Sequence, residues 1–191
     1  MKKNIYYSLL ISAMVSVSAA EETRQVDKHE HGVGELNIAI EGNAIDFEFF
    51  IPGADIVGFE YEAKTESDIA LVNAALEKFG NFDNIFSLPE SSNCNLVNSE
   101  IGVNQDDEHD DHDEHDDHDD HDDHDEEAHN EFVAHYSFNC ENIKEIDRIS
   151  FPYFTNFPNS GELEVQFVSE KGSTGFEVEG DEPFIDLKGK I

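Results

Sequence analysis

Positive charge is scarce in this chain. Eleven Lys and Arg stand against 45 Asp and Glu in 191 residues, a formal net charge of −34. That balance excludes non-specific binding to nucleic acid or anionic lipid, whose phosphates require the opposite sign, and it favours partners that are cations. Tryptophan is absent, so the fifteen Phe supply most of the aromatic volume. Long apolar runs are nearly absent too. One, from Ile5 to Val17, follows Met1-Lys2-Lys3 and ends in Ser18-Ala19-Ala20. A basic start, a short apolar segment and a small-residue site predict a cleavable secretory signal over residues 1–20, cut after Ala19 or Ala20. As a membrane anchor the run is too short to span ~30 Å of hydrocarbon comfortably. The mature chain is expected to be exported and soluble, with no membrane insertion after cleavage.

Cysteine is equally sparse. Only Cys94 and Cys140 are present, and two Cys in an exported chain point to a disulfide rather than a metal site. A free thiol pair is the alternative. The bond would close a loop of about 45 residues and contribute roughly 4 kcal/mol through chain entropy. An acidic tract lies inside that loop, so the bond is expected to tie the tract's two roots to the folded body. Catalytic signatures are missing: there is no His-Glu-x-x-His, no Gly-x-Ser-x-Gly and no phosphate-cradling glycine loop. Enzyme activity is not expected.

What is present divides into a patterned body and an unpatterned tract. Leu36, Ile38 and Ile40 alternate with polar or small residues, Glu41-Gly42-Asn43 supplies turn chemistry, and Ile45, Phe47, Phe49 and Ile51 alternate again. This is a β-hairpin with one buried face, ended by Pro52-Gly53. Thr65 is a candidate N-cap with Asp68 in the capping-box position. Ile69, Val72, Leu76 and Phe79 then form one helical stripe, assigned to the core, and Gly80 stops the helix. Residues 94–103 read as a strand, as do Phe132, Ala134, Tyr136, Phe138 and Cys140 in alternation. Leu163, Val165 and Phe167 mark another, turning at Lys171-Gly172-Ser173 into a partner around Phe176 and Val178. Hairpins with one or two covering helices predict an α+β antiparallel sheet. The expected organisation is a single domain over residues 21–191, interrupted by a disordered His/Asp-rich insertion over 104–128.

Residues 106–127 hold twelve Asp, four Glu and six His. His109, His112, His115, His118, His121 and His124 recur every third residue, with acids filling each gap. Such charge density cannot bury apolar surface, so the tract is expected to be disordered when empty. Carboxylates alone select Ca²⁺ or Mg²⁺; imidazole at every third place shifts preference to Zn²⁺, with Cu²⁺ or Ni²⁺ as alternatives. In a polyproline-type chain the six rings would share one stripe about 9 Å apart, too far for neighbours to share an ion at Zn–N distances of about 2 Å. The chain must fold back or use one His with flanking Asp per ion, giving several modest sites and about two to three ions at four ligands each. Uptake is expected to weaken as pH falls toward 6, because protons compete for the imidazole nitrogens. A solubilising acid run is the bland alternative, which regular His interleaving argues against.

Four histidines lie elsewhere. His29 and His31 flank Glu30 just before the first strand. His129 precedes the strand after the tract. His135 sits on that strand beside Val133, where a lone His is more often structural.

The order of these features resembles the ZrgA-like periplasmic zinc-binding proteins. The resemblance rests on the leader, the short His motif, Leu36–Ile40, Ile56-Val57-Gly58-Phe59-Glu60, Leu88-Pro89 followed by Cys94, the His-rich insertion, His129-Asn130-Glu131-Phe132 and Tyr136–Cys140. It covers nearly all of the mature chain, with Gly-Phe-Glu and the Cys placement as the specific marks. It implies a periplasmic protein made under zinc limitation that helps an ABC-type importer acquire metal, and it carries His29, His31 and His129 over as motif residues. The expected function is therefore zinc capture and delivery. A passive metal buffer without a transporter partner is the alternative.

Overall fold

The computed structural model describes residues 32–105 and 130–191. The leader, His29, His31, His129 and the whole 106–127 tract lie outside the described residues. Strands β1 (Val33–Glu41) and β2 (Ala44–Pro52) form the expected hairpin. Gly42 takes φ +59° at the first central position of its two-residue turn, a conformation that favours glycine. β3 (Cys94–Gln105) and β4 (Asn130–Cys140) form a second hairpin, and β6 (Glu162–Ser169) and β7 (Gly172–Glu179) a third. These strands make one sheet in the order β3-β4-β2-β1-β6-β7. All its junctions are antiparallel except β1–β6, which pairs in parallel from Val33↔Glu162 to Ala39↔Val168. A small second sheet pairs β5 (Arg148–Ser150) with β8 (Phe184–Asp186).

Alternation along the strands gives the sheet one apolar and one polar face. Leu36, Ile38, Phe47, Phe49, Tyr136, Phe138, Val165 and Phe167 all turn inward and are buried, each large side chain contributing roughly 1.5–3 kcal/mol. The cover is α2 (Glu66–Phe79), the 82–88 segment, and the 143–157 stretch that includes β5 and the short α3 (Tyr153–Asn156). Phe86 is the centre of this cover. Its ring stacks on Phe47 at 4.0 Å and meets Tyr136 and Phe138 edge-on. Among the described residues no helix is long and apolar enough to cross a membrane.

Several expectations change in detail. Thr65 does cap α2, its Oγ1 accepting from the Asp68 N–H at 3.2 Å, but Ile69 is 45 % exposed and is not core. Only the C-terminal half of α2 overlies the sheet, where Phe79 stacks on Phe132 and Phe157. The β6–β7 turn is Glu170-Lys171, because Gly172 already pairs with Ser169. β3 continues through Asn104 and Gln105, two residues that pattern alone assigned to the insertion.

The disulfide Cys94–Cys140 is present, but it does not tie the tract's roots. Cys94 and Cys140 are register partners at one end of the β3–β4 hairpin, and Gln105↔Asn130 close the other end. At ~3.4 Å per residue the twelve-residue β3 separates the bond from the roots by roughly 35–40 Å. The roots are held by the sheet itself.

Candidate metal-binding end of the sheet

β1 and β4 both run antiparallel to β2, so they share a direction and begin at the same end of the sheet. β6 also begins there, and β2 and β3 finish there. Gly32, which immediately precedes β1, and Asn130, which opens β4, are therefore separated by two strand spacings, about 10 Å. From these two points the chain continues to His31 and to His129. Gln105, where the tract leaves, pairs directly with Asn130.

The short helix α1 (Gly53–Val57) and the residues after it close this end. Asp55 is buried, and its Oδ1 accepts the Gly32 N–H at 2.9 Å. The Gly32 carbonyl accepts from the N–H groups of Gly161 and Glu162 at 2.9 and 2.8 Å. Asn130 is also buried; its N–H donates to the Glu60 carbonyl at 2.8 Å and its Nδ2 to the Tyr61 carbonyl at 3.0 Å. Gly53 packs against the Asn130 side chain so closely that a Cβ would collide with Oδ1. Burial pushes the Tyr153 phenol up beyond its usual range; its hydrogen bond with Ser160 opposes that, and the charge of Asp55 adds to it. Glu131 and Glu162, in register with Pro52 and Val33, place further carboxylates at this end. Such a field favours cations over anions.

Of the histidines, His135 alone falls among the described residues. It lies half-buried on the open face, in register with Glu48 on β2 and Glu100 on β3. A shallow groove there is also lined by Asn37, Asp46 and Gln166. Its carboxylates are held by neutral groups: Ser137 Oγ donates to Asp46 at 2.5 Å, and Asn37 Nδ2 to Glu48 at 3.4 Å. Among the described residues, no three His, Cys, Asp or Glu side chains are placed to hold a metal ion. The candidate ligands His29, His31, His109, His112, His115, His118, His121, His124 and His129 all lie outside the described residues, whereas Cys94 and Cys140 are committed to the disulfide.

Sequence reasoning missed Asp55 and Asn130. A signal existed for both. Asn130 stands in phase with the inward-facing Phe132, Ala134, Tyr136 and Phe138, which marks it as a buried amide. Asp55 interrupts an otherwise apolar Ala54–Val57 run, which marks a carboxylate with a structural partner.

Compared with known families, residues 28–187 match the family described as ZrgA family zinc uptake protein. No curated protein matches the chain.

Proposed function

The chain belongs to the ZrgA family of zinc uptake proteins, and from that premise we propose that it is a periplasmic accessory protein. In this reading it captures Zn²⁺ and assists its delivery to an ABC-type zinc uptake system. The observation that carries the proposal is the tract, with six His at strict period three among sixteen acids. Many adjacent modest sites exchange ligands faster than one closed tetrahedral site, which suits a carrier that must release its metal. The placement of Gly32 and Asn130 at one end of the sheet supports it, since His29 and His31 then join the body about 10 Å, two strand spacings, from where the tract returns. The acids of that end add a field that draws cations. Cu²⁺ and Ni²⁺ are the competing metals by ligand type.

The test combines calorimetry and genetics. Zinc titrations of the mature protein, of a variant lacking 106–127, and of His29→Ala/His31→Ala apportion binding between tract and body. If removal of 106–127 leaves zinc binding untouched, capture by the tract is wrong. Deletion of the gene is expected to impair growth under chelation. Sensitivity to excess zinc, with normal growth under chelation, would instead identify a passive buffer.

A further inference from the structure

The six-stranded sheet ends in two edge strands, β3 and β7, and they are finished differently. β3 is interrupted by a register shift between Leu96 and Asn98, and the disulfide fixes one of its ends. β7 runs unbroken from Gly172 to Glu179 in register with β6. Exposed edges are ordinarily blunted by Lys, Pro, a bulge or a short strand, because their unpaired backbone groups accept another strand. β7 has none of these, and its eight residues exceed the usual strand of about 5–6. Among the described residues, no backbone group outside β6 hydrogen-bonds to the stretch from Gly172 to Val178.

The charge along this edge has one sign. None of the six strands carries a Lys or Arg. On the open face Glu164 stands directly opposite Glu177, and Glu162 opposite Glu179, while Glu35 on β1 continues the row beside Glu164. Like charges placed opposite one another destabilise a sheet, so the fold keeps these pairs at a cost to itself. Among the described residues, no Lys or Arg pairs with Glu164, Glu177 or Glu179.

We infer that β7 is a docking edge for an extended, Lys- or Arg-bearing segment of a partner protein, which adds to the sheet as one more strand. Backbone pairing along β7 supplies affinity, and alternate side chains of the incoming strand stand beside Glu177 and Glu179 on the open face. Cations there offset the repulsion within the Glu162–Glu179 and Glu164–Glu177 pairs. The same charge disfavours a second copy of a chain at −34. Neither zinc nor the tract enters into this docking.

The probe is a fluorescein-labelled peptide of alternating Lys and Thr, as long as β7, titrated into the full mature chain at low salt and followed by anisotropy. It is expected to bind, to weaken as salt screens the charges, and to protect the β7 amides from hydrogen exchange in NMR spectra. Glu164→Gln/Glu177→Gln/Glu179→Gln should weaken binding about fivefold through the loss of exposed ion pairs. Its urea midpoint should be no lower than wild type, since like-charge pairs have been removed. Alternate N-methylation of the peptide should abolish binding in one phase and spare it in the other, because only one phase points its N–H groups at β7. Equal behaviour of the two phases overturns strand addition, and so does protection that falls on β3 instead of β7. Unchanged binding in the folded Gln variant, or no binding of the unmodified peptide, overturns the proposal as well. Self-association of the protein that the peptide reverses would put a second copy on the edge. Tighter peptide binding in Arg24→Ala/Lys28→Ala would put the chain's own amino-terminal segment there, and either result overturns the proposal.

Discussion

The disulfide and the Gln105↔Asn130 pair that flanks the tract lie at opposite ends of one hairpin, and their separation makes a sharp prediction. Replacing both cysteines by Ala removes a cross-link between residues 46 apart in sequence. Chain entropy sets the loss at roughly 4 kcal/mol for a closed loop of that size. For a domain of 150–250 residues this corresponds to a melting temperature lower by about 8–16 °C. Zinc capture should not change, because the Gln105↔Asn130 junction is held by β-pairing and by the Glu60 and Tyr61 carbonyls, not by the bond. Alanine is the right replacement, since reduction would leave two thiols able to bind zinc themselves. The assay pairs urea unfolding of both proteins with zinc stoichiometry measured where the variant is fully folded by circular dichroism. A folded variant that has lost a large share of its zinc would refute the separation, whereas a stability loss well under about 1 kcal/mol would refute the chain-entropy account of the bond.

Other expectations follow from the core and the tract. Tyr136→Phe removes the 2.6 Å hydrogen bond to the Phe79 carbonyl and should cost about 1–3 kcal/mol by urea unfolding, since a buried acceptor is left unmet. Burial raises the phenols of Tyr136 and Tyr153, so their contribution is whole below the unfolded value of about 10 and is lost as pH climbs above it. The loss should reach up to about 1.4 kcal/mol per pH unit for each, seen as a falling urea midpoint between pH 9 and 11.5, with a shallower slope in Tyr136→Phe. Phe86→Ala empties the centre of the cover and should cost about 3–5 kcal/mol, read from the same unfolding curves. Zinc uptake should be markedly weaker at pH 5.5 than at 7.5; equal uptake in calorimetry would contradict imidazole ligation.

The hairpins were legible because a period of two writes itself directly into Leu36–Ile40, Ile45–Ile51 and Phe132–Cys140. The parallel β1–β6 junction was not, since pairing between Val33 and Glu162 leaves no local mark on either strand. Helix α2 was legible as a helix through Thr65 and its stripe. How far it overlies the sheet was set by tertiary placement, which is why Ile69 lies in solvent. The zinc chemistry proposed for the tract rests on residue type alone, since 106–127 lie outside the described residues. The end of the sheet that carries it was not legible, because Asp55 and Asn130 act through backbone partners distant in sequence.

Insertion between two register partners has one more consequence. Gln105 and Asn130 face each other across a single pair of strands whether the intervening chain is long or short. For a loop closing on such fixed ends, each doubling of length costs only about 0.6 kcal/mol. The number of His-Asp repeats can therefore rise or fall without disturbing a single core contact. On the zinc-capture reading proposed above, metal capacity and fold stability would be set by separate parts of the chain, and selection could adjust the first while leaving the second alone.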